Sequence, residues 1–97
     1  MQAVTRDELE QGVAAGGYLY DVRPLPEAVF GLTPLPLLLA DLQHGDVPDL
    51  PSDTPLYLVC GRGQASELAG LYLEAAGFSE VFHLAGGTRA WRTPKDV

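Results

Sequence analysis

The sequence predicts an α/β domain in which helices cover both faces of a mostly parallel central sheet. The segment Leu56–Cys60 is an unbroken apolar run of strand length, which is typical of a strand buried on both faces. A helical pattern of apolar residues follows at 66–76, and shorter strand-like and helix-like segments alternate along the rest of the chain. Because 97 residues provide one hydrophobic core, we expect residues 1–97 to form a single domain.

The first helix has a defined beginning and end in the sequence. Thr5 followed by Glu8 is a capping box, in which each side chain accepts a hydrogen bond from the backbone N–H of the other residue. Leu9 and Val13 lie four residues apart and therefore share one face of this helix. The pair Gly16–Gly17 is expected to end it.

Prolines determine what the next part of the chain can form. Tyr18–Val22 is aromatic and β-branched and is predicted to be a strand. Prolines then recur at four positions between 24 and 36, so we expect only a short helical turn near Glu27–Phe30. A second helix is predicted over Pro36–Leu42, with the proline at its first position. Gly45–Pro55 is predicted to be a loop.

The third helix, over 66–76, has the strongest periodicity in the chain. Its predicted apolar face consists of Leu68, Leu71, Tyr72 and Ala75. Gly77 is expected to end it. Val81–Leu84 is predicted to be a strand, Gly86–Gly87 a turn and Thr88–Arg92 a helical turn.

Charge and cysteine content exclude several classes of function. Six Lys and Arg against 13 Asp and Glu give a net charge of −7, which disfavours nucleic acids and anionic membranes as partners. The single cysteine excludes an internal disulfide and a multi-cysteine zinc site. We see no signal peptide and no apolar run of the ~18 residues that span a membrane. We therefore expect a cytoplasmic protein, and the sequence leaves its oligomeric state open.

The residues that carry chemistry connect the buried strand to the third helix: Cys60-Gly61-Arg62-Gly63-Gln64-Ala65-Ser66. Ligands of α/β sheets bind at the carboxyl ends of strands. Two glycines allow a tight turn whose N–H groups point inward, and the helix adds its own unpaired N–H groups. Such a ring binds anions and favours the thiolate of a cysteine at its base. Cys60 is thus a candidate nucleophile and Arg62 the cation of the loop; the alternative is that Cys60 is a small buried hydrophobe.

Other candidate sites receive less support from the sequence. Asp21 and Arg23 lie at the end of a predicted strand. The simplest interpretation is that they form a salt bridge or a turn hydrogen bond, and the alternative is a supporting role at the site. His83 is mid-strand and is interpreted as structural rather than as a catalytic partner of Cys60. His44, although near two aspartates, is not predicted to bind a metal.

Two other interpretations of the loop fail at the same residue. Ser66 stands where a dinucleotide-binding fingerprint needs its third glycine. It also stands six residues after Cys60, where cysteine phosphatases have an arginine. A Walker A loop is excluded because no lysine follows either glycine cluster.

Three segments in order resemble the motifs of single-domain rhodaneses, the thiosulfate sulfurtransferase-like family. Tyr20–Pro24 resembles the family's D-V-R segment at the end of an early strand. Leu58–Gly63 resembles the active-site strand with its C-x-x-G loop, and Leu84–Trp91 the closing L-x-G-G-x-x-x-W. The resemblance covers nearly the whole chain.

This resemblance implies a mechanism and a set of site residues. Cys60 would attack the outer sulfur of a small anionic donor such as thiosulfate and keep that sulfur as a persulfide. The acceptor would be cyanide, a thiol or a protein, and neither a metal nor an organic cofactor would be needed. The donor would be bound by the backbone amides of Gly61, Arg62, Gly63, Gln64, Ala65 and Ser66.

The chain departs from the family pattern at two places. Family loops often carry an arginine five residues after the cysteine, where this chain has Ala65, and this bears on donor affinity. The usual G-H-I segment appears as Gly31-Leu32-Thr33. A weakly catalytic or non-catalytic module for protein binding or sulfur relay therefore stays open as an alternative.

Overall fold

The computed structural model describes residues 1–24 and 27–91. These residues contain the strands β1 (Gln2–Val4), β2 (Tyr18–Asp21), β3 (Leu35–Pro36), β4 (Leu56–Val59) and β5 (Val81–Leu84). The helices are α1 (Arg6–Ala14), α2 (Leu39–Gln43) and α3 (Gln64–Ala75), followed by a 3₁₀ helix (Thr88–Trp91). The strands form one sheet in the order β1-β5-β4-β2-β3, and every neighbouring pair is parallel. The predicted α/β class with a parallel sheet is confirmed.

The central strand β4 separates two hydrophobic clusters. All four of its residues are buried. Leu56 and Leu58 belong to one cluster with residues of α2 and α3, and Tyr57 and Val59 belong to the other with Leu9 of α1. Because successive side chains of a strand point to opposite faces, an unbroken apolar run is what a strand covered on both faces requires.

Helix α1 begins as the capping box predicts. The backbone N–H of Glu8 donates to Thr5 Oγ1 at 3.2 Å, and the N–H of Thr5 donates to Glu8 Oε1 at 2.9 Å. Leu9 is fully buried. Gly12 of α1 packs closely on Tyr57 of β4: a Cβ at position 12 would lie 1.9 Å from the Tyr57 hydroxyl.

The predicted helical turn near Glu27–Phe30 is wrong for residues 27–30. Val29 and Leu32 instead exchange two backbone hydrogen bonds of 2.8 Å across a two-residue turn. The turn residues Phe30 and Gly31 have φ angles of +53° and +78°. Positive φ at both central residues is the geometry of a tight hairpin turn and is incompatible with a right-handed helix.

The predicted start of the second helix at Pro36 is also wrong. Pro36 lies in the edge strand β3, where Asp21 is its partner, and α2 begins at Leu39. The N–H of Leu37 donates to the Asp21 carbonyl at 3.0 Å and continues the pairing. A proline is tolerated in an edge strand because it has no N–H to leave unpaired.

Helix α3 packs on a different face from the one predicted. Leu68 and Leu71 are 40% and 55% exposed, whereas the buried residues are Ser66, Ala69, Gly70 and Leu73. Small residues on the inner face let the helix approach its neighbours closely: a Cβ at Gly70 would lie 1.9 Å from the Met1 sulfur. The orientation of this helix is therefore set by how closely its backbone approaches the core, and not by which face has the most large apolar residues.

The remaining predicted helices, strands and turns agree with the structure to within two residues. Gly77, with φ +105°, follows the end of α3, and Val81–Leu84 forms β5 with the predicted bounds. Residues 45–55 form a loop. The helical turn near the C-terminus is the 3₁₀ helix, and Arg92, its predicted last residue, lies outside the described residues. None of the described helices has the length and apolarity needed to cross a bilayer.

Candidate active site

The strand order places a crevice between β2 and β4. From β2 the chain continues to β3 on one side of the sheet, and from β4 it continues to β5 on the other side. Where connections leave neighbouring strands in opposite directions, the carboxyl ends of those strands open a ligand-binding crevice. A pocket of about 220 Å³ lies there. Its lining residues are Val22, Arg23, Pro24, Cys60, Gly61, Arg62, Gln64 and Ala65.

Cys60 lies at the base of this pocket and is 4% exposed. Its Sγ accepts the backbone N–H of Gly63 at 2.9 Å and that of Ser66 at 3.4 Å. Gly63 has φ +93°, a left-handed conformation that favours glycine, and this conformation brings the chain back over the sulfur. The loop residues between strand and helix thus enclose the cysteine rather than extending away from it.

The Cys60 sulfur also caps helix α3. The N-cap residue Gly63 has no side chain, so it cannot accept an N–H of the first turn as Ser, Thr or Asp would. The Sγ of Cys60 takes that place by accepting the N–H of Ser66, the third residue of the helix. The positive end of the helix dipole is therefore directed at the sulfur, and negative charge there is stabilised.

Ser66 contributes a hydroxyl that the sequence analysis did not consider. The residue is fully buried, and its Oγ donates to the carbonyl of Gly63 at 3.1 Å. The Cys60 thiol donates to the same Oγ at 3.5 Å. The sequence signal that points to it is the spacing of six residues, which places a hydroxyl on the first turn of the helix behind the cysteine.

The other loop amides are available to a ligand. The N–H groups of Gly61, Arg62, Gln64 and Ala65 donate to no acceptor within the described part of the chain. All four residues line the pocket. The loop thus divides its donors, with Gly63 and Ser66 directed at the sulfur and the other four placed along the pocket wall. Backbone N–H groups that converge on one point form an anion-binding concavity, and we expect these four to do so.

Asp21 and Arg23 form the ion pair that their position at a strand end predicts. Arg23 Nε donates to the two carboxylate oxygens of Asp21 at 2.9 and 3.0 Å, and a terminal nitrogen of Arg23 donates to Oδ2 at 2.5 Å. Asp21 is fully buried and also accepts the backbone N–H groups of Arg23 and Glu27. Arg23 lines the pocket, and Asp21 is not one of the described residues that do.

Two cations, Arg23 and Arg62, line the pocket and differ in their electrostatic surroundings. The hydrogen bond to Asp21 raises the pKa of Arg23; burial opposes this rise, and the charges of Asp21, Glu27 and Cys60 add to it. Arg23 also lies 3.6 Å from the Glu27 carboxylate, so nearby acids already compensate its charge. Arg62 is exposed and has no ion-pair partner among residues 1–24 and 27–91.

Within the described residues, neither histidine takes part in the hydrogen bonds of the Cys60 sulfur. The hydrogen-bonding partners of the Cys60 sulfur in the described residues are Gly63 and Ser66, and His83 is not one of them. His83 Nδ1 is buried without a partner in the same residues. The Nδ1 of His44 contacts the Ala40 carbonyl at 2.8 Å, and no group of three potential metal ligands occurs among the described residues.

Comparison with protein families gives a match over most of the chain. The profile of the rhodanese-like domain matches residues 5–94. A rhodanese homologue from Thermus thermophilus is 34% identical, with a TM-score of 0.75 over 93% of this chain and 99% of that one.

Two relatives carry names that describe an activity. Thiosulfate sulfurtransferase GlpE of Pseudomonas fluorescens is 46% identical over 41 residues, which are 42% of this chain and 38% of that protein. The adenylyltransferase and sulfurtransferase uba4 of Ogataea parapolymorpha is 32% identical over 78 residues, or 76% of this chain and 20% of that protein. Both alignments thus span well under half of the relative's length.

Proposed function

Because the chain belongs to the rhodanese-like domain family, we propose that it is a sulfurtransferase that carries a sulfane sulfur on Cys60. The observation on which this rests is the position of the Cys60 sulfur, which accepts two backbone N–H groups at the base of a pocket lined by four further loop residues. The sulfurtransferase names of GlpE and uba4 support the proposal. We propose further that residues 1–97 form one rhodanese-like domain.

In the first half-reaction, the Cys60 thiolate attacks the outer sulfur of the donor. With thiosulfate, a new S–S bond forms, the S–S bond of the donor breaks, and sulfite leaves with the electron pair. The products are a Cys60 persulfide and sulfite, so no external oxidant is consumed. The loop amides of Gly61, Arg62, Gln64 and Ala65 would hold the negative charge of the donor during this step.

In the second half-reaction, a nucleophilic acceptor attacks the outer sulfur of the persulfide. Cyanide, a thiol or a protein thiol takes that sulfur, and Cys60 leaves as a thiolate. The N–H groups of Gly63 and Ser66 stabilise the leaving thiolate in the same way as they stabilise the attacking one. A reactive lone thiol of this kind suits a reducing compartment, and we propose a cytoplasmic setting.

A stoichiometric sulfur relay or a weakly catalytic binding module is the second candidate. It is favoured by the charge of the pocket, because Arg23 is compensated by two carboxylates and position 65 carries alanine instead of a cation. A pocket with little net positive charge attracts the thiosulfate dianion weakly. In that case Cys60 would still accept sulfur, but turnover with thiosulfate would be slow.

The intact mass of the protein before and after incubation with thiosulfate tests the proposal. We expect a gain of about 32 Da, one sulfur atom, that dithiothreitol removes. Cys60→Ser should abolish both this adduct and the formation of thiocyanate from cyanide. A Cys60→Ser variant that keeps full activity would refute the assignment. A complete adduct combined with very slow thiocyanate formation would favour the relay over the enzyme.

A further inference from the structure

The Gly86–Gly87 turn, which follows β5, lies directly behind the loop that contains Cys60. A Cβ at Gly87 would lie 2.5 Å from the carbonyl oxygen of Gly61 and 2.6 Å from the nitrogen of Gly63. Gly87 has φ +74°, a conformation that also favours glycine. The backbone of the turn therefore contacts the backbone of the loop with no room for a side chain between them.

Two hydrogen bonds connect the same two segments. The N–H of Thr88 donates to the Cys60 carbonyl at 2.8 Å, and the N–H of Arg89 donates to the Gly61 carbonyl at 3.0 Å. The 3₁₀ helix that supplies these donors is held in turn by Trp91, whose Nε1 donates to the Ala85 carbonyl at 2.8 Å. The carbonyls of Cys60 and Gly61 thus face the turn. In a planar trans peptide the N–H points away from the carbonyl, so the N–H groups of Gly61 and Arg62 are directed to the opposite side, toward the pocket.

We propose that Gly87 is a positioning residue for sulfur transfer, and this rests on the proposed function. It acts through the backbone of the loop, including Gly63, whose N–H points at the Cys60 sulfur and whose nitrogen would lie 2.6 Å from a Cβ at position 87. A side chain at 87 would push Gly63 and displace that N–H from the sulfur. Misplacement of a catalytic group by about 1 Å costs about 100-fold in rate.

The variant Gly87→Ala tests this, with Gly31→Ala as its matched control. Gly31 has nearly the same conformation, φ +78°, but a Cβ there meets no atom within 4 Å. Both variants therefore carry the backbone strain of an alanine at positive φ, and only Gly87→Ala pushes on the loop. We expect about a 100-fold lower kcat/KM for Gly87→Ala and a change of less than about 3-fold for Gly31→Ala.

Two readouts do not depend on sulfur transfer. Alkylation of Cys60 by iodoacetamide, a neutral reagent, should be about 3-fold slower in Gly87→Ala at the same pH. Loss of one hydrogen-bond donor lowers the thiolate fraction about 10-fold, and the more basic thiolate recovers about 3-fold in nucleophilicity. The amide resonance of Gly63 in a ¹H–¹⁵N spectrum should shift, and its hydrogen exchange should accelerate. If neither the alkylation rate nor the Gly63 resonance differs between the two variants, the proposal is overturned.

A semisynthetic protein tests the contact between the turn and the loop without adding a side chain. It provides the test if Gly87→Ala does not fold. Because Cys60 is the single cysteine, ligation at this residue joins residues 1–59 to a synthetic 60–97 segment. Thr88→Ala made in the same way is the control, because lactate has the side chain of alanine. Compared with that control, lactate at position 88 removes the N–H that donates to the Cys60 carbonyl and otherwise only weakens the Gly87 carbonyl as an acceptor for the N–H of Ala90. We expect slower alkylation of the lactate protein than of its control, by up to about 3-fold. Equal rates would contradict a positioning role.

These outcomes are separable from those of the proposed function. If the wild-type protein forms no persulfide, the sulfurtransferase proposal fails, but the alkylation rate and the Gly63 resonance still report on the position of the loop. If the wild-type protein forms the persulfide and Gly87→Ala behaves as Gly31→Ala does, only the role of Gly87 fails.

Discussion

The Sγ of Cys60 accepts the backbone N–H of Ser66 at 3.4 Å, in the place where the side chain of an N-cap residue normally stands. The proposed nucleophile is therefore part of the helix terminus and is not merely next to it. The N–H groups that would stabilise its thiolate also begin α3, so we expect a change in the cap to change the reactivity of the sulfur. The hydroxyl of Ser66 connects the sulfur to the N-cap residue, because its oxygen accepts from the Cys60 thiol and its proton is donated to the Gly63 carbonyl.

Ser66→Ala should lower both activity and stability. It removes the oxygen that accepts from the Cys60 thiol and one of the two donors to the Gly63 carbonyl, which keeps the N–H of Glu67. The change therefore loosens Gly63, whose own N–H donates to the Cys60 sulfur. We expect about a 10-fold decrease in the rate of persulfide formation and a loss of about 1–2 kcal/mol in the free energy of unfolding. Stopped-flow kinetics and urea denaturation measure the two effects. Ser79→Ala, at an exposed serine, is the control, and equal behaviour of the two variants would show that the Ser66 hydroxyl has no role.

Arg62→Ala should weaken binding of an anionic donor. Arg62 is the exposed cation of the pocket wall, so its removal should raise KM for thiosulfate by about 5-fold, the size of a partly solvated ion pair. The effect should decrease with added salt, because exposed charges are screened. Arg6→Ala removes a cation that lies on α1, outside the pocket lining, and is expected to leave KM unchanged. A KM that is the same in both variants would mean that the amides bind the donor without Arg62.

Asp21→Asn should destabilise the protein strongly. The carboxylate is fully buried and accepts from Arg23 and from the backbone of Glu27, whereas an amide presents N–H groups to some of these donors. Breaking a buried ion pair on one side costs about 3 kcal/mol or more in the free energy of unfolding. Asp46→Asn removes the same charge at an exposed position and should cost less than about 0.5 kcal/mol. Urea denaturation of both variants measures the difference, and a loss below about 1 kcal/mol for Asp21→Asn would contradict this account.

The parts of the fold that the sequence predicted are those determined by local pattern. The capping box of Thr5 and Glu8 involves residues three apart, and the burial of Leu56–Val59 follows from composition alone. The short strands β1 and β3 were missed, because two or three residues carry no periodic pattern and become strands only by pairing with β5 and β2. The predicted orientation of α3 was wrong. The helix buries its small residues Ala69 and Gly70, which allow close approach to the core, rather than all of its large apolar residues.

For the candidate site, too, the features set by local sequence were predicted, and those set by contacts between distant segments were missed. The glycine-bounded loop after a buried strand predicted an anion-binding ring around Cys60, and this needed only the order of strand, loop and helix. The contact of Gly87 with the loop joins segments more than 20 residues apart, and nothing in either segment alone indicates it. The Ser66 hydroxyl was missed because its direction depends on where α3 begins, and the helix begins at Gln64.

Ala65→Arg should improve the use of thiosulfate. Ala65 lines the pocket on the first turn of α3, so an arginine there can add the positive charge that Arg23 does not supply. We expect about a 10-fold gain in kcat/KM, which corresponds to about 1.4 kcal/mol of added transition-state stabilisation. This gain should shrink as the salt concentration rises. A cation in the first turn opposes the helix dipole, so the free energy of unfolding should fall by about 0.3–1 kcal/mol.

The matched control for this variant is Ala65→Gln, which adds a long polar side chain without charge. If charge is what the pocket lacks, Ala65→Gln should leave kcat/KM with thiosulfate near the wild-type value, while Ala65→Arg raises it. If both variants fold and neither increases turnover, thiosulfate is not limited by charge at position 65. The native loop would then be matched to a donor of lower charge, because its uncompensated cation is Arg62 alone among the described residues of the pocket wall. That result would favour sulfur relay from a protein or thiol persulfide over turnover with a small dianion.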